Sequence, residues 1–303
     1  MNISIVTDEI SGDLETAFEL AFSWGIHAVE LRGYGTNRVP NFSDYQKERL
    51  TELLETWPLK IAAVSPGLFK IACPPKRCSS FPVAAIDEGM FSDWHEAQSK
   101  LDYQLQETLP AALEFAVKVH APTVGIFSFE RISGLSEPPD DVLRVLETAA
   151  NTAAQQNLVL TIETEAGHWA DTGKHAAELI RLINNPALAI NWDPGNSAEA
   201  GDVPFPDGYS YVRPYIRHVH FKDVVHDEKG NCHYAVNGEI QWDQQIKALL
   251  LDGYKGYISV ETHMRPKIAS AEKSYKRLKA LIESSEEEKI ERGSSCDSQL
   301  SKQ

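Results

Sequence analysis

The sequence predicts a single closed (β/α)8 barrel, and three of its features support this prediction. The chain has 303 residues, and one barrel of this kind needs roughly 250 residues. Short apolar runs alternate with amphipathic segments of helical period along most of the chain, which is typical of right-handed βαβ units. The apolar runs number eight, and eight strands close such a barrel.

Each apolar run has the composition of a parallel strand that is covered on both faces. Apolar residues are nearly continuous within the runs and do not alternate with polar ones, as expected for a buried parallel sheet. The predicted strands cover residues 3–7, 28–31, 60–64, 123–127, 159–163, 188–193, 216–222 and 256–261. Between them, sets such as Leu14, Ala17, Phe18 and Ala21 recur at helical spacing and predict amphipathic helices.

Two segments depart from this alternation. Residues 70–102 follow the third strand and contain several prolines; the first half is a candidate lid over the barrel mouth or, alternatively, a surface insertion. The second half begins a long helix that runs toward Val119, with Pro110 as the position of a kink. Residues 284–303 are polar and lack a period, which predicts a disordered tail outside a barrel that occupies residues 1–283.

Composition and charge restrict the class of protein. The chain is 42% hydrophobic and 24% charged, with a formal net charge of −15, so a nucleic-acid partner is not expected. The N-terminus lacks a signal peptide, and no apolar stretch is long enough to span a membrane, which predicts a cytoplasmic protein without a membrane partner. We expect free thiols, because zinc-site spacing is missing. The four cysteines are Cys73, Cys78, Cys232 and Cys296.

Four of the predicted strands end in a side chain that binds metal ions. Glu163 ends the fifth strand and Asp193 the sixth, whereas His220 lies near the end of the seventh and Glu261 ends the eighth. In a closed barrel all strand C-termini meet at one face, where active sites are built. Two Glu, one Asp and one His form a mostly oxygen site that suits Mn²⁺ or Mg²⁺ better than a structural zinc.

Glu163 and Glu261 would lie on opposite sides of such a metal ion. Two carboxylates in this arrangement can remove and return a proton on opposite faces of a substrate carbon. The metal would polarise the carbonyl group and stabilise the enediolate that forms. Taken singly, each Glu is more often a structural residue in a salt bridge than a metal ligand, so the interpretation depends on the convergence of the two.

Polar residues beyond the fifth and sixth strands are candidate substrate contacts. Asn196 follows a tight turn in Asp193-Pro-Gly-Asn196, and this turn would direct its amide back to the site, where it could hold a sugar hydroxyl. The alternative is an Asn that only stabilises the turn. Glu165 has the same inward parity as Glu163 and is a reserve ligand, a substrate contact or a solvated loop residue.

Three further candidates for substrate binding lie after other strands. Lys222 follows the seventh strand and would either neutralise an oxyanion or pair with Asp223. Ser65 follows the third strand and Glu30 ends the second. Both are candidate pocket-lining residues, and a structural ion pair at the barrel mouth is an equally good explanation for Glu30.

These segments together resemble the sugar phosphate isomerase/epimerase family of xylose isomerase-like TIM barrels, over roughly residues 1–283. The motifs that carry the resemblance are Ile162-Glu-Thr-Glu165, Asn191-Trp-Asp-Pro-Gly-Asn196, His218-Val-His-Phe-Lys-Asp223, Gly238-Glu-Ile-Gln-Trp242 and Gly253-Tyr-Lys-Gly-Tyr-Ile-Ser-Val-Glu261. The resemblance implies that four residues bind Mn²⁺, Mg²⁺ or Co²⁺, namely Glu163, Asp193, His220 and Glu261. It also implies that the two Glu form the acid/base pair. Ketose epimerases place a His three residues after the metal-binding Asp, whereas this chain has Asn196.

The predicted function is a divalent-metal-dependent isomerase or epimerase that acts on a sugar or sugar phosphate through an enediolate. One alternative is an inosose- or dehydroshikimate-type dehydratase on the same metal site, and another is a non-catalytic sugar-binding barrel. The expected partner is a small sugar or polyol, and a homo-oligomer is left open. The related DNA-repair nucleases need extra histidines on earlier strands, and the second to fourth strands here end without His.

Overall fold

A closed barrel of eight parallel strands forms the body of the protein in the computed structural model, which describes residues 1–74 and 94–300. The strands are β1 (Asn2–Val6), β2 (Ala28–Leu31), β3 (Gly33–Tyr34), β4 (Asn37–Arg38), β5 (Lys60–Leu68), β6 (Thr123–Ile126), β7 (Val159–Glu163), β8 (Leu188–Trp192), β9 (Ile216–Phe221), β10 (Asp223–His226), β11 (Cys232–Ala235) and β12 (Tyr257–Val260). Around the barrel the order is β1-β2-β5-β6-β7-β8-β9-β12. The predicted fold class and all eight predicted strands are confirmed. The short pairs β3–β4 and β10–β11 form antiparallel hairpins outside the barrel.

Helices lie between the strands and cover the outside of the barrel. They are α1 (Thr7–Ile10), α2 (Leu14–Ser23), α3 (Asp44–Thr56), α4 (Trp94–Tyr103), α5 (Leu109–Lys118), α6 (Asp140–Ala154), α7 (Gly173–Ile183), α8 (Pro194–Glu199), α9 (Tyr209–Val212), α10 (Trp242–Leu251) and α11 (Lys267–Leu300). Their apolar faces are buried, as in α6, where Val142, Leu146 and Ala149 are fully buried. This spacing places one stripe of the helix against the sheet.

Residues 94–118 form the long helix that the sequence predicts. A π-helical turn (Gln104–Thr108) separates α4 from α5, and Pro110 lies in the first turn of α5. Proline has no backbone N–H to donate, so a local change of hydrogen-bonding pattern is expected beside it. The candidate lid in residues 70–102 lies largely outside the described residues.

The chain after residue 283 differs from the prediction of a disordered tail, because α11 continues to Leu300. Ser285 is buried and donates to the carbonyl of Leu281 at 2.7 Å. Lys289 Nζ donates to the carbonyl of Leu250 at 3.2 Å, and this contact ties the helix to α10. Glu and Lys are also good helix formers. These contacts and propensities support a helix even though the segment lacks an apolar period.

The interior of the barrel is partly polar at the level below the site. Ser4 Oγ and Ser259 Oγ lie 2.6 Å apart, and His218 Nε2 lies 3.0 Å from Ser259 Oγ and 2.8 Å from Glu30 Oε2. All four side chains are buried. Buried polar groups that are hydrogen-bonded in this way hold fixed positions, so the site above them rests on an ordered floor.

Membrane-spanning helices and free cysteines are the two features that bear on the expected compartment and redox state. In residues 1–74 and 94–300, no helix combines the length and the apolar character needed to cross a bilayer. Cys73 and Cys232 are free thiols, the first buried and the second partly exposed. Cys78 and the side chain of Cys296 lie outside the described residues.

Candidate metal centre

The ends of β7, β8, β9 and β12 bring the four predicted ligands together. Ligand atoms of Glu163, Asp193, His220 and Glu261 lie within 4.8 Å of one another, and all four residues are buried. His220 Nδ1 faces the three carboxylates, at 3.2 Å from Glu261 Oε2, 3.5 Å from Glu163 Oε1 and 3.8 Å from Asp193 Oδ2. Residues separated by about a hundred positions thus meet at one point, because parallel strands end at the same face.

The side chains of this cluster fit a divalent cation. Within the described part of the chain, three buried ligand atoms lack a hydrogen-bond partner: Asp193 Oδ2, His220 Nδ1 and Glu261 Oε2. Buried polar atoms are normally satisfied. The two carboxylate oxygens lie at ion-pair distance from Lys222 Nζ, and a divalent cation could bind all three atoms. Burial raises the pKa of Asp193, and Glu261 adds to this effect, although Lys222 opposes it. Three carboxylates and one imidazole suit a hard metal such as Mn²⁺ or Mg²⁺.

The turn after β8 leaves one oxygen of Asp193 available for the cluster. Asp193 is the N-cap of α8, and its Oδ1 accepts a hydrogen bond from the backbone N–H of Asn196 at 2.9 Å. Pro194 at the first helical position needs no hydrogen-bond acceptor. Thr164 Oγ1 accepts from the Asp193 N–H and donates to its carbonyl, both at 2.9 Å. The Asp-Pro-Gly-Asn sequence therefore fixes the carboxylate so that Oδ2 faces the cluster.

Glu30 lies behind His220, on the side away from the carboxylate cluster. His220 Nε2 lies 3.2 Å from Glu30 Oε2, and Ser65 Oγ donates a short hydrogen bond to Glu30 Oε1. Burial raises the pKa of Glu30, but His220 and His218 outweigh this effect and hold it well below its usual range. A carboxylate at Nε2 fixes the imidazole so that Nδ1 is free to bind a metal. Glu30 and Ser65, which the sequence suggests as substrate contacts, thus support His220.

Lys222 lies at the cluster and does not pair with Asp223. Its Nζ lies 2.9 Å from Asp193 Oδ2 and 2.8 Å from Glu261 Oε2, at ion-pair distance but outside hydrogen-bond geometry. Burial disfavours the charged ammonium, but the two carboxylates outweigh this and raise the pKa of Lys222 well above its usual value. Asp223 instead pairs with Arg277 at 2.6 Å. Of the two alternatives for Lys222, the geometry favours a role at the site.

Asn196 connects the two carboxylates that follow β7. Its Nδ2 donates to Glu163 Oε1 at 3.2 Å and to Glu165 Oε2 at 3.0 Å, and its Oδ1 accepts from Lys222 Nζ at 2.9 Å. Glu165 also accepts a hydrogen bond from Lys70 Nζ at 2.6 Å. Both Asn196 and Glu165 border the cavity described below, where a substrate can reach them.

A second network holds the other oxygen of Glu261. Arg32 forms a short ion pair with Glu261 Oε1 and lies 2.7 Å from Glu9 and 2.9 Å from Asp8. Burial raises the pKa of Glu9, but the hydrogen bond from His263 and the charges of Arg32 and His263 together outweigh it, and the pKa is lowered to about 2. With Oε1 bound to Arg32, Oε2 is the atom that faces the metal cluster. Sequence reasoning missed Asp8, Glu9 and His263, although each lies two or three residues beyond the end of a barrel strand.

A cavity of about 430 Å³ opens above the cluster. Glu163, Asn196, His220 and Glu261 contribute to its floor, and its other lining residues are mostly polar or charged. Few apolar side chains line it, with Phe127 as one of them. A polar cavity of this size suits a small ligand that carries many hydroxyl or carbonyl groups.

Known proteins similar to this chain include enzymes of two reaction types. The chain is 34% identical over 90 residues to a 3-dehydroshikimate dehydratase of Bacillus anthracis, a match that spans 28% of this chain and only 32% of that relative. An L-ribulose 3-epimerase has a similar structure (TM-score 0.69, 14% identity, 96% of this chain and 97% of that one). So does a xylose isomerase-like TIM barrel protein of Mycobacterium smegmatis in complex with magnesium (TM-score 0.63, 16% identity, 89% and 88%). At these identities the two structures support the fold alone.

The family assignment comes from a match over most of the sequence. The sequence model of the xylose isomerase-like TIM barrel family matches residues 18–282. This range includes seven of the eight barrel strands and all four residues of the metal cluster. The chain therefore belongs to the xylose isomerase-like TIM barrel family.

Proposed function

We propose that this protein is a divalent-metal-dependent isomerase or epimerase that moves a proton at a carbon next to the carbonyl group of a sugar or sugar phosphate. The observation that carries the proposal is the buried cluster of Glu163, Asp193, His220 and Glu261. Three ligand atoms of this cluster have no hydrogen-bond partner among the described residues. A buried cluster of this kind is costly unless it binds a cation. The polar cavity above it is suited to a polyhydroxylated substrate.

Glu163 and Glu261 are the proposed acid/base pair. Burial raises the pKa of each, but the positive charges of His220 and Lys222 and hydrogen bonds with His220 together outweigh it, so both pKa values are lowered. Both groups are then ionised and able to accept a proton. Asn196 holds Glu163 and Arg32 holds Glu261, which fixes the carboxylates for proton transfer.

Lys222 is the proposed stabiliser of negative charge on the substrate oxygen. It remains charged beside Asp193 and Glu261 although it is buried. A divalent cation held by the four ligands would supply the Lewis acidity that makes the substrate C–H acidic. His220 contributes as a ligand through Nδ1, because Glu30 holds its Nε2.

A dehydratase is the second candidate function. The observation that favours it is the 34% identity over 90 residues to a 3-dehydroshikimate dehydratase. Asn196, at the position where ketose epimerases carry His, also separates this chain from those epimerases. Elimination of water would use the same base to remove the same type of proton, so the product distinguishes the two reactions.

Solvent hydrogen exchange tests the shared step. Metal-stripped protein is reloaded with Mn²⁺ or Mg²⁺ and incubated in D₂O with ketoses, ketose phosphates, inososes and 3-dehydroshikimate, and products are analysed by mass spectrometry and NMR. We expect metal-dependent incorporation of one deuteron with retention of the substrate formula for an isomerase or epimerase. Loss of one water would indicate the dehydratase instead.

Matched variants test whether the four-residue cluster carries out the hydrogen exchange. Glu163→Gln and Glu261→Gln should each lower the exchange rate by at least about a hundredfold, because general acid–base groups contribute 10²–10⁴-fold. Glu48→Gln, an exposed residue in α3, makes the same charge change away from the site and should leave the rate unchanged. Metal binding without exchange on any substrate would contradict the proposed catalysis and favour a sugar-binding barrel.

A further inference from the structure

Arg38 is an exposed residue whose guanidinium lines the cavity. The residue ends β4, and it lines the cavity together with Glu163 and His220. Its Nε donates to the carbonyl of Ser65 at 2.8 Å. Among residues 1–74 and 94–300, no carboxylate forms an ion pair with Arg38, and its two Nη groups make no hydrogen bond.

The neighbouring Arg32 has the opposite surroundings. Arg32 is paired with Asp8, Glu9 and Glu261, and these carboxylates raise its pKa well above the usual value although burial opposes them. Arg38 is exposed to solvent, and partial desolvation at the barrel mouth together with the positive charge of Arg32 lowers its pKa. One guanidinium at the barrel mouth is therefore neutralised by three carboxylates, whereas the other is exposed and forms no ion pair with a described residue.

Gly67 creates the space in which the Arg38 guanidinium lies. Gly67 has φ +78°, and a Cβ at this position would lie 3.0 Å from both Cζ and Nε of Arg38. A larger residue would thus be strained and would displace the guanidinium. The backbone of β5 holds the planar group from one side through Gly67 and through the carbonyl of Ser65. The Nη edge is the part left for a ligand.

We infer that Arg38 binds an anionic group of the substrate, a carboxylate or a phosphate, and that the substrate is a sugar acid or a sugar phosphate and not a neutral sugar. The inference rests on the proposed function, which places the reacting carbon at the metal cluster. A guanidinium matches both oxyanions with two parallel N–H donors. Ser65 connects this position to the cluster, because its hydroxyl donates to Glu30, which in turn contacts His220.

Lys70 is the other cation at the cavity with a terminal donor, and it is already occupied. Its Nζ pairs with Glu165 at 2.6 Å and lies 4.5 Å from the ring centroid of Phe127. Lys222 is likewise held between two carboxylates. Arg38 is thus the cation of the cavity that a substrate anion can reach without breaking an ion pair within the described residues.

Three ketoses that differ only at C6 test this inference. D-fructose carries a hydroxymethyl group there, D-fructose 6-phosphate a phosphate and D-fructuronate a carboxylate. Their binding to Mn²⁺-loaded protein is measured by calorimetric titration. We expect at least one anionic ketose to bind at least about tenfold more tightly than fructose. A hydrogen bond to a charged group contributes more binding free energy than one between neutral groups. The tighter of the two anions identifies the source of the charge.

Substitutions test whether Arg38 is the source of the preference for anionic ketoses. Arg38→Gln should reduce the affinity for the anionic ketose to that for fructose while Mn²⁺ binding stays unchanged. Gly67→Ala should displace the guanidinium and thereby lower the affinity for the anionic ketose. Arg213→Gln removes the same charge after α9, at the opposite end of the barrel, and should preserve the preference. Equal binding of all three ketoses to the native protein, no binding of any, or a preference that survives Arg38→Gln would overturn the inference.

A second probe separates this inference from the proposed function. Inorganic phosphate is titrated into metal-free protein and followed by ³¹P NMR line broadening. Broadening that Arg38→Gln abolishes and Arg213→Gln retains would establish the anion site even if the protein failed to bind Mn²⁺. Tight Mn²⁺ binding without Arg38-dependent phosphate binding or anion preference would leave the proposed metal enzyme intact and refute the anionic substrate.

Discussion

The two halves of the barrel contribute different parts of the site. Strands β7, β8, β9 and β12 supply the four side chains of the metal cluster. The first strands supply residues that hold these side chains from behind: Glu30 in β2 contacts His220, and Arg32 directly after β2 contacts Glu261. Charged groups of the first half therefore hold the cluster of the second half, although the described residues of the first half offer no atom to that four-residue cluster.

Among substitutions in the two halves of the barrel, we expect removal of a proposed metal ligand in the second half to lower Mn²⁺ affinity the most. Glu163→Gln and Glu261→Gln each replace a charged oxygen ligand by a neutral amide. We expect Mn²⁺ affinity to fall by more than about a hundredfold, because even the partners of metal ligands contribute 10–100-fold. Calorimetric titration of Mn²⁺ into metal-stripped protein measures this. Glu199→Gln is a matched control, since Glu199 lines the cavity but lies outside the cluster; native-like affinity in both ligand variants would refute the assigned site.

Removal of the charge behind His220 should have a smaller effect on the same measurement. Glu30→Gln keeps the shape of the side chain but removes the carboxylate that fixes the imidazole. We expect Mn²⁺ affinity to fall by about tenfold. Ser4→Ala removes another buried polar group of the barrel interior, the partner of Ser259, and should leave the affinity nearly unchanged. If Glu30→Gln and Ser4→Ala had the same Mn²⁺ affinity, Glu30 would have only a packing role. The first half of the barrel would then not support metal binding through Glu30.

The same comparison shows what could be predicted from sequence. The four residues of the cluster could be predicted to converge because each lies at the end of an apolar strand, and closure of the barrel brings strand ends together. The rule works for Glu163 and Glu261 without knowledge of any contact. It needs only the strand positions, which the apolar runs provide, and these agree with the observed strands to within a few residues.

Residues that act through other residues could not be placed in this way. Glu30 also ends a strand, but the register between β2 and β5 shifts at Val29 and Glu30, and the side chain lies behind His220. Glu9 lies in the four-residue helix α1, and Arg38 lies in a hairpin beyond β2. Their roles depend on side-chain contacts across the barrel, which no period in the sequence encodes.

The tail was mispredicted for a related reason. Its sequence lacks an apolar stripe, and such a segment is expected to be disordered. The helix is instead supported by separate polar contacts, such as Lys289 to the carbonyl of Leu250 and Lys247 to Glu288 at 2.8 Å. Contacts of this kind are worth little singly, and a pattern of hydrophobicity cannot reveal them.

The smallest expected effect concerns the stability that the first half of the barrel gains from Glu9. The pKa of this buried carboxyl is lowered from 4.5 to about 2, so its ionised form stabilises the folded state above the unfolded pKa. This stabilisation is lost as the pH falls from about 4.5 through about 2. Between pH 5 and pH 3.5 the loss should be about 1 kcal/mol.

Comparison with Glu9→Gln isolates this contribution from the other carboxyl groups. The variant keeps the shape of the side chain, but its neutral amide cannot pair with Arg32 or His263 as the carboxylate does. We expect the native protein to have the higher urea midpoint at pH 5, and the difference to shrink toward pH 3.5. A difference that stays constant over this range would mean that Glu9 acts through hydrogen bonds alone. In that case Arg32 would be neutralised mainly by Asp8 and Glu261, and the first half would hold Glu261 with one carboxylate fewer.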